Sequence, residues 1–349
     1  MNSQSSRIRR RAVAWVVLAL VASAALALVA TSSAAPQSTP DSQLLKTYQP
    51  VLVFHPTEPF RPTKVQSFVD DSELEQFVGG NPVLDSSWVV VDPDPEPGEL
   101  PPMTPGALYR LDQTTCEADA PLAGRDCYAA AWEEDSGGDA VYGRVVHTAD
   151  RIVLQYWLFY YDNPLILPPT PFGTFWQSHE GDWELVNVIL GEDETPLEAG
   201  YSQHCSGQRK PWDGVTKSPA GSTHPVAYVA LGSHANYFRP GVVPINPACI
   251  PTGVPPFPFI VDQVVDGSGA GALVGPPGSG VPAATIHAIE GQVWSAFGGR
   301  WGESEYFFTP VAIPPVPANT AVPVGLAPAS PANQANWNPA TILGWPLVP

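Results

Sequence analysis

Proline recurs from one end of this chain to the other, 42 times in 349 residues, and that spread is the strongest limit on its fold. Each proline fixes φ and removes a backbone donor, which breaks long helices and favours loops that cross the ends of sheets. Between the prolines, short apolar runs recur at 50–54, 88–91, 141–147, 151–160, 182–190, 225–231, 257–265 and 285–289. Pro, Gly, Asp or Asn bounds each run, as expected of strands. Only 64–77, with Val65, Phe68, Val69 and Leu74 suitably spaced, carries a helical pattern. The pattern predicts an all-β fold: a two-sheet antiparallel β-sandwich over 44–308 with long disulfide-tied loops. Residues 36–43 read as a flexible lead-in. Residues 309–349 read as a Pro-rich extended tail that wraps the body through Trp337 and Trp345.

Residues 1–35 combine Arg7, Arg9, Arg10 and Arg11 with an uncharged run over 12–30 and the small residues Ser33, Ala34 and Ala35. That is the order of a secretory signal peptide, although the run also reaches the ~18 residues of a minimal membrane anchor. Under both readings everything beyond residue 36 lies outside the cytoplasm, secreted or anchored at the cell envelope. An uncleaved N-terminal segment would give membrane contact. Four cysteines permit three pairings; Cys116 with Cys127 and Cys205 with Cys249 each close a loop that otherwise lacks a staple. No C-x-x-C spacing points to a cysteine metal site. Acidic residues number 34 against 16 basic ones, for a formal charge of −18. Such a surface repels phosphate backbones and argues against nucleic acid as a partner. It draws in divalent cations instead.

The densest chemistry lies at 179–184, His-Glu-Gly-Asp-Trp-Glu. If a strand begins near Asp182, then Asp182 and Glu184 share one face and Trp183 faces the core, which puts the acids on an outer or rim face. His179, in the entering loop, would fold back over the same face. Two carboxylates and an imidazole at a strand mouth suit a divalent cation. Three further segments can join them: Tyr-Ser-Gln-His at 201–204, on a neighbouring antiparallel strand, Gly-Ser-His-Ala-Asn-Tyr at 232–237, and Gly-Arg-Trp-Gly-Glu at 299–303. Loops closing one end of a sandwich often assemble a site, and His204 and His234 would bring imidazoles to it. Each of these residues also fits a plain structural role, and Arg300 can simply offset local acidity. His55 and Glu58 read as shapers of the first turn.

These segments, with 48–52 and Gln155-Tyr156-Trp157, resemble the bacterial branch of the vacuolar protein sorting-associated protein sixty-two family over about 46–305. That family implies no defined activity. Asp182-Trp183-Glu184 also resembles the necrosis-inducing protein family, a β-sandwich whose G-H-R-H-D-W-E motif helps hold a divalent cation. The resemblance implies His179, Asp182 and Glu184 as ligands here. Glu180 and Gly181 replace that motif's Arg-His pair, so a second imidazole would have to come from His204 or His234.

Three functions follow as expectations. In the first, a cation on His179, Asp182 and Glu184 recognises a glycan or lipid head group, with Phe175 and Trp176 as an apolar wall. Oxygen ligands favour Ca²⁺ or Mg²⁺; adding His204 and His234 shifts preference towards Mn²⁺ or Zn²⁺. In the second, the ion activates water against an ester or phosphoester, with Glu184 or His234 as the catalytic proton shuttle. In the third, the polar cluster pins loops of a structural envelope protein.

Overall fold

Two twelve-residue strands, Ile152–Asn163 and His179–Leu190, are buried along their whole length. A strand buried on both faces needs cover on both sides, and the rest of the chain supplies it. The computed structural model describes residues 38–80, 87–114, 116, 125–135, 138–164, 178–246, 249, 261–264, 273–276, 282–309 and 320–349. The leader, Phe175 and Trp176 lie outside them. Among the described residues the strands are β1 (Val51–Val53), β2 (Ser72–Phe77), β3 (Trp88–Asp92), β4 (Tyr109–Gln113), β5 (Ala140–His147), β6 (Ile152–Asn163), β7 (His179–Leu190), β8 (Pro196–Gln203) and β9 (Ser206–Pro211). They continue with β10 (Val226–Val229), β11 (Asn236–Tyr237), β12 (Gly241–Pro244), β13 (Val261–Val264), β14 (Leu273–Val274), β15 (Thr285–Ala288), β16 (Glu305–Thr309) and β17 (Thr320–Gly325).

The fold is mostly β, but it departs from a two-sheet antiparallel sandwich. The strands form a six-stranded sheet ordered β15-β5-β6-β7-β8-β9, a four-stranded sheet β11-β10-β1-β14, a three-stranded sheet β3-β2-β4 and two two-stranded ribbons. Two pairings, β1 with β10 and β15 with β5, are parallel. Parallel neighbours need long connections, and here β2 to β9 lie between β1 and β10 in the chain and β6 to β14 between β5 and β15. The central β6–β7 pair is antiparallel, with Phe159 opposite Trp183 and Tyr160 opposite Asp182.

Period-two alternation then sorts the core. On one face of the pair Trp183 stacks on Trp294 at 5.6 Å, and Trp301 meets the rings of Phe159 and Trp183 at 5.1 and 5.5 Å. Phe68, from the short helix Val65–Asp70, packs edge-on to Phe159 at 5.3 Å. On the other face Tyr160 meets Phe54, just after β1, at 6.4 Å, and Tyr201 Oη donates to Val226 O at 3.0 Å. The four-stranded sheet therefore covers the face that carries Asp182. That cover corrects the expected rim position of the acids: Asp182 and Glu184 are 6% and 5% exposed.

The helical pattern over 64–77 holds only for Val65–Asp70. Ser72 Oγ donates to Phe68 O at 2.6 Å, the helix ends, and β2 pairs with β3 and β4. The C-terminal segment is more structured than an extended tail, containing β17 and the short helix Pro339–Leu343. Its tryptophans do anchor it: Arg144 lies 3.8 Å over Trp337, and Trp345 packs where Gly200 and Gly207 leave room.

Both expected disulfides form, with Cα–Cα separations of 6.0 Å for Cys116–Cys127 and 5.2 Å for Cys205–Cys249. The second closes a loop with a sequence separation of 44. Loop-closure entropy puts its contribution at about 4 kcal/mol. Replacing Cys205 and Cys249 together by Ser is expected to lower unfolding free energy by about 3–4 kcal/mol in urea titrations; a loss below about 1 kcal/mol would contradict it.

Candidate functional site

The 179–184 segment lies wholly inside β7, so His179 is a strand residue and not part of an entering loop. Strict alternation would place His179 and Asp182 on opposite faces. Gly181 breaks the alternation with a φ of +56°, a left-handed conformation that glycine adopts without steric cost. His179 thereby turns to the Asp182 side. Asn163, the cross-strand partner of His179, spans the two: its Nδ2 donates to His179 Nε2 at 3.0 Å and to Asp182 Oδ2 at 3.4 Å. The His179 Nδ1–H donates to Gly181 O at 2.7 Å, which fixes the tautomer and leaves the Nε2 lone pair facing Asn163 and Asp182.

His234 closes the site from the turn between β10 and β11. Its ring lies flat on Tyr160, with centroids 3.8 Å apart. Its Nδ1 sits 3.1 Å from Asp182 Oδ2 and its Nε2 3.3 Å from Glu58 Oε1. Glu58 is pinned in turn by the N–H groups of Phe60 and Gly232 at 3.0 and 2.7 Å. Burial pulls the His234 pKa down, but Glu58 and then Asp182 pull harder and raise it to about 10. At neutral pH this imidazole is therefore a cation held between two carboxylates.

Glu184 completes the group. Ser202 Oγ–H makes a short hydrogen bond to Glu184 Oε2 while the Leu185 N–H donates to Ser202 Oγ at 2.7 Å. Burial first, and the charge of Asp182 second, push the Glu184 carboxyl up to about 8, against the opposing pulls of Ser202, His204 and His234. His204 exerts that pull from the turn between β8 and β9, where its φ is +56°. Tyr160 Oη and both amide atoms of Asn236 are buried around this centre without hydrogen-bond partners among the described residues. Buried polar atoms are seldom left unsatisfied, so the centre has polar capacity that the protein's own groups do not use.

The opposite side of the segment is a structural lock. Glu180 is fully buried and accepts from Tyr128 Oη at 2.6 Å, Glu303 N at 2.9 Å and Gln113 N at 3.3 Å. Burial, then Asp112, raise its carboxyl to about 7. Here 299–303 crosses β7 through two glycines. A Cβ on Gly181 would lie 2.3 Å from Trp301 O, and one on Gly302 would lie 2.3 Å from Glu180 Cβ. Beneath the crossing, Arg110 holds Glu75, Asp112 and Glu303 at 2.6, 2.8 and 2.9 Å. Arg300 donates to Ala327 O at 3.2 Å.

The structure thus brings His179, Asp182 and His234 into one hydrogen-bonded group, with Glu184 and His204 electrostatically joined to it. Glu58, read from sequence only as a turn residue, is its second acid partner, and Asn163 is its bridge. Neither role is visible in sequence, although a polar Asp162-Asn163 pair ending an apolar strand was a signal. Among the described residues, no three His, Cys, Asp or Glu side chains are grouped tightly enough to hold a metal ion as they stand.

No family model matches the chain and no curated protein is similar to it, so the vacuolar sorting resemblance gains no support. The chain is similar to solved structures, three of which follow. One is described as a toxin fold for microbial attack and plant defence (13% identity, TM-score 0.32, covering 75% of this chain and 80% of that one). Another is Necrosis and Ethylene inducing Protein 2 from the causal agent of cocoa's Witches Broom disease (13%, 0.30, 75% and 76%). The third is the non-toxic HaNLP3 protein (14%, 0.31, 75% and 79%). Likeness at this level establishes neither a shared fold nor a shared activity.

Proposed function

We propose that this chain is an extracytoplasmic β protein that binds a divalent cation through His179, Asp182 and Glu184, and that the cation anchors a polar head group, a sugar or a lipid. The observation that carries the reading is the Asn163 amide. The Asn163 NH2 group, the positive end of a dipole, stands between the His179 Nε2 lone pair and Asp182 Oδ2, where two metal-ligating atom types converge. The donor chemistry fits: one imidazole nitrogen in the ligating tautomer, two buried carboxylates in mutual repulsion, and polar atoms of Tyr160 and Asn236 left over. The close grouping of three ligands would require side-chain adjustment, for which the Asn163 and Glu184 rotamers are the natural sites. When bound, the cation would neutralise the two acids and offer open positions to hydroxyl or anionic oxygens.

His234 has a different part in this reading. Both its nitrogens face carboxylates, so it positions Asp182 and leaves a single imidazole for the ion. A set poor in nitrogen favours Ca²⁺ or Mg²⁺ over Zn²⁺. Two disulfides suit an oxidising compartment outside the cytoplasm.

The test is capture of the purified protein on immobilised glycans and glycolipid vesicles, with Ca²⁺ or Mg²⁺ and after chelation. Capture that needs the ion and disappears in Glu184→Gln is the expected result. Capture indifferent to chelation would remove the cation from the function.

A further inference from the structure

The sheet edge beyond β8 holds a second concave feature. Alternation along β9 sends Arg209 to one face, where it meets Glu198 at 2.5 Å, and Gln208 and Lys210 to the other. On that other face they line a cavity of about 390 Å³ together with Tyr237, Phe238, Arg239, Val243 and the last two residues, Val348 and Pro349. This is the size of a small-molecule site. Its aromatic wall is fixed, because Phe238 stacks on Tyr201 at 4.0 Å. The Lys210 stem lies against Gly214, where a Cβ would come within 2.9 Å of its Cε.

Charge marks the cavity. In a chain with 34 acidic residues, several basic side chains find partners. Arg61 meets Asp139, Arg110 meets three acids, Arg144 meets Glu290 and Lys217 donates to two carbonyls. The side chains of Lys210 and Arg239 have neither an ion pair nor a hydrogen bond to any described residue, yet both line the same hollow. Two unpaired cations beside an apolar wall match a ligand that carries two negative charges at one end and an apolar face at the other. A phosphate monoester has that charge, whereas a carboxylate or sulfate ester carries only one. Arg supplies a planar fork for phosphate oxygens and Lys a point charge, and Tyr237, Phe238 and Val243 would cover a sugar ring or the glycerol end of a lipid.

We infer that the cavity formed by Lys210, Arg239, Tyr237 and Phe238 is a binding site for a phosphate monoester with an apolar face. It uses none of the residues assigned to the cation and stands whether or not that assignment holds. The experiment is calorimetric titration of the full protein, in metal-stripped buffer, with phenyl phosphate, phenol and inorganic phosphate. Flotation with phosphatidylcholine vesicles, with and without phosphatidic acid, accompanies it. Saturable binding of phenyl phosphate is expected, weaker binding of inorganic phosphate, and none of phenol. Lys210→Ala and Arg239→Ala should each weaken phenyl phosphate about tenfold or more, while Lys46→Ala, exposed on the helix Asp41–Thr47 and outside the cavity lining, should change nothing. Flotation only with phosphatidic acid, lost in the two variants, would make the source a lipid; soluble binding without flotation would make it a free phosphomonoester. Absence of saturable binding to every phosphate probe, or binding unchanged in both variants, would overturn the inference. Should Lys210→Ala lower thermal stability, Arg239→Ala at its exposed position decides alone.

Discussion

Arg110→Ala is expected to destabilise the protein by about 3–5 kcal/mol at neutral pH, because it leaves buried carboxylates without their cation. Arg110 is 4% exposed and pairs with Glu75, Asp112 and Glu303. Lysine should rescue little, since one ammonium cannot reproduce three directed N–H contacts. The loss should depend on pH with a definite sign. Burial above all, opposed by Arg110 and reinforced by Glu303 and Glu75, raises the Asp112 carboxyl to about 8. A carboxyl whose folded value exceeds its unfolded one contributes stability that is complete below the unfolded value, about 4, and is lost as pH rises through the folded one. Arg110 lowers that folded value, so its removal raises it further, and the Arg110→Ala deficit should grow as pH rises through about 8. Urea unfolding at about pH 6 and about pH 9 measures it. An equal deficit at both would show that lost packing over Trp88, 4.8 Å away, and not charge, is the cause.

Gly181→Ala should cost about 4 kcal/mol, from two sources that a second variant separates. A left-handed φ of +56° costs a residue with a Cβ about 1–2 kcal/mol. The added Cβ would also press on Trp301 O at 2.3 Å, and relieving a contact with backbone on both sides moves β7 or the 299–303 crossing, at about 1–3 kcal/mol. Gly221 has a φ of +81° and nothing within 4 Å of its Cβ position, so Gly221→Ala should show the first cost alone. Equal losses in the two variants would remove the crossing from the explanation. Because the turn at Gly181 also brings His179 to the Asp182 side, any folded Gly181→Ala protein should lose cation binding with its stability.

Much of the site was legible in the sequence, and the reasons are local. Asp182 and Glu184 with Trp183 opposed follow from period two. The two disulfides follow from loop closure, and the pairing of β8 with β7 follows from the acidic turn at 192–194. What failed was non-local. Glu58 and Asn163 reach the site through tertiary contacts that no spacing encodes. Period two puts the acids at a rim because the strand pattern cannot show that a second sheet covers the face. The 64–77 helix failed because Leu74 belongs to a period of two that begins at Ser72. The leader and the aromatic pair Phe175-Trp176 fall outside the described residues.

The central claim is that His179, Asp182 and Glu184 share one divalent cation. Elemental analysis of the purified protein, equilibrated with Ca²⁺ or Mg²⁺ and then desalted, tests it most directly alongside His179→Ala, Asp182→Asn and Glu184→Gln. The expected result is an ion retained by the wild-type chain and lost from each folded variant. Metal absent from the wild type, or present equally in all four proteins, would contradict the claim.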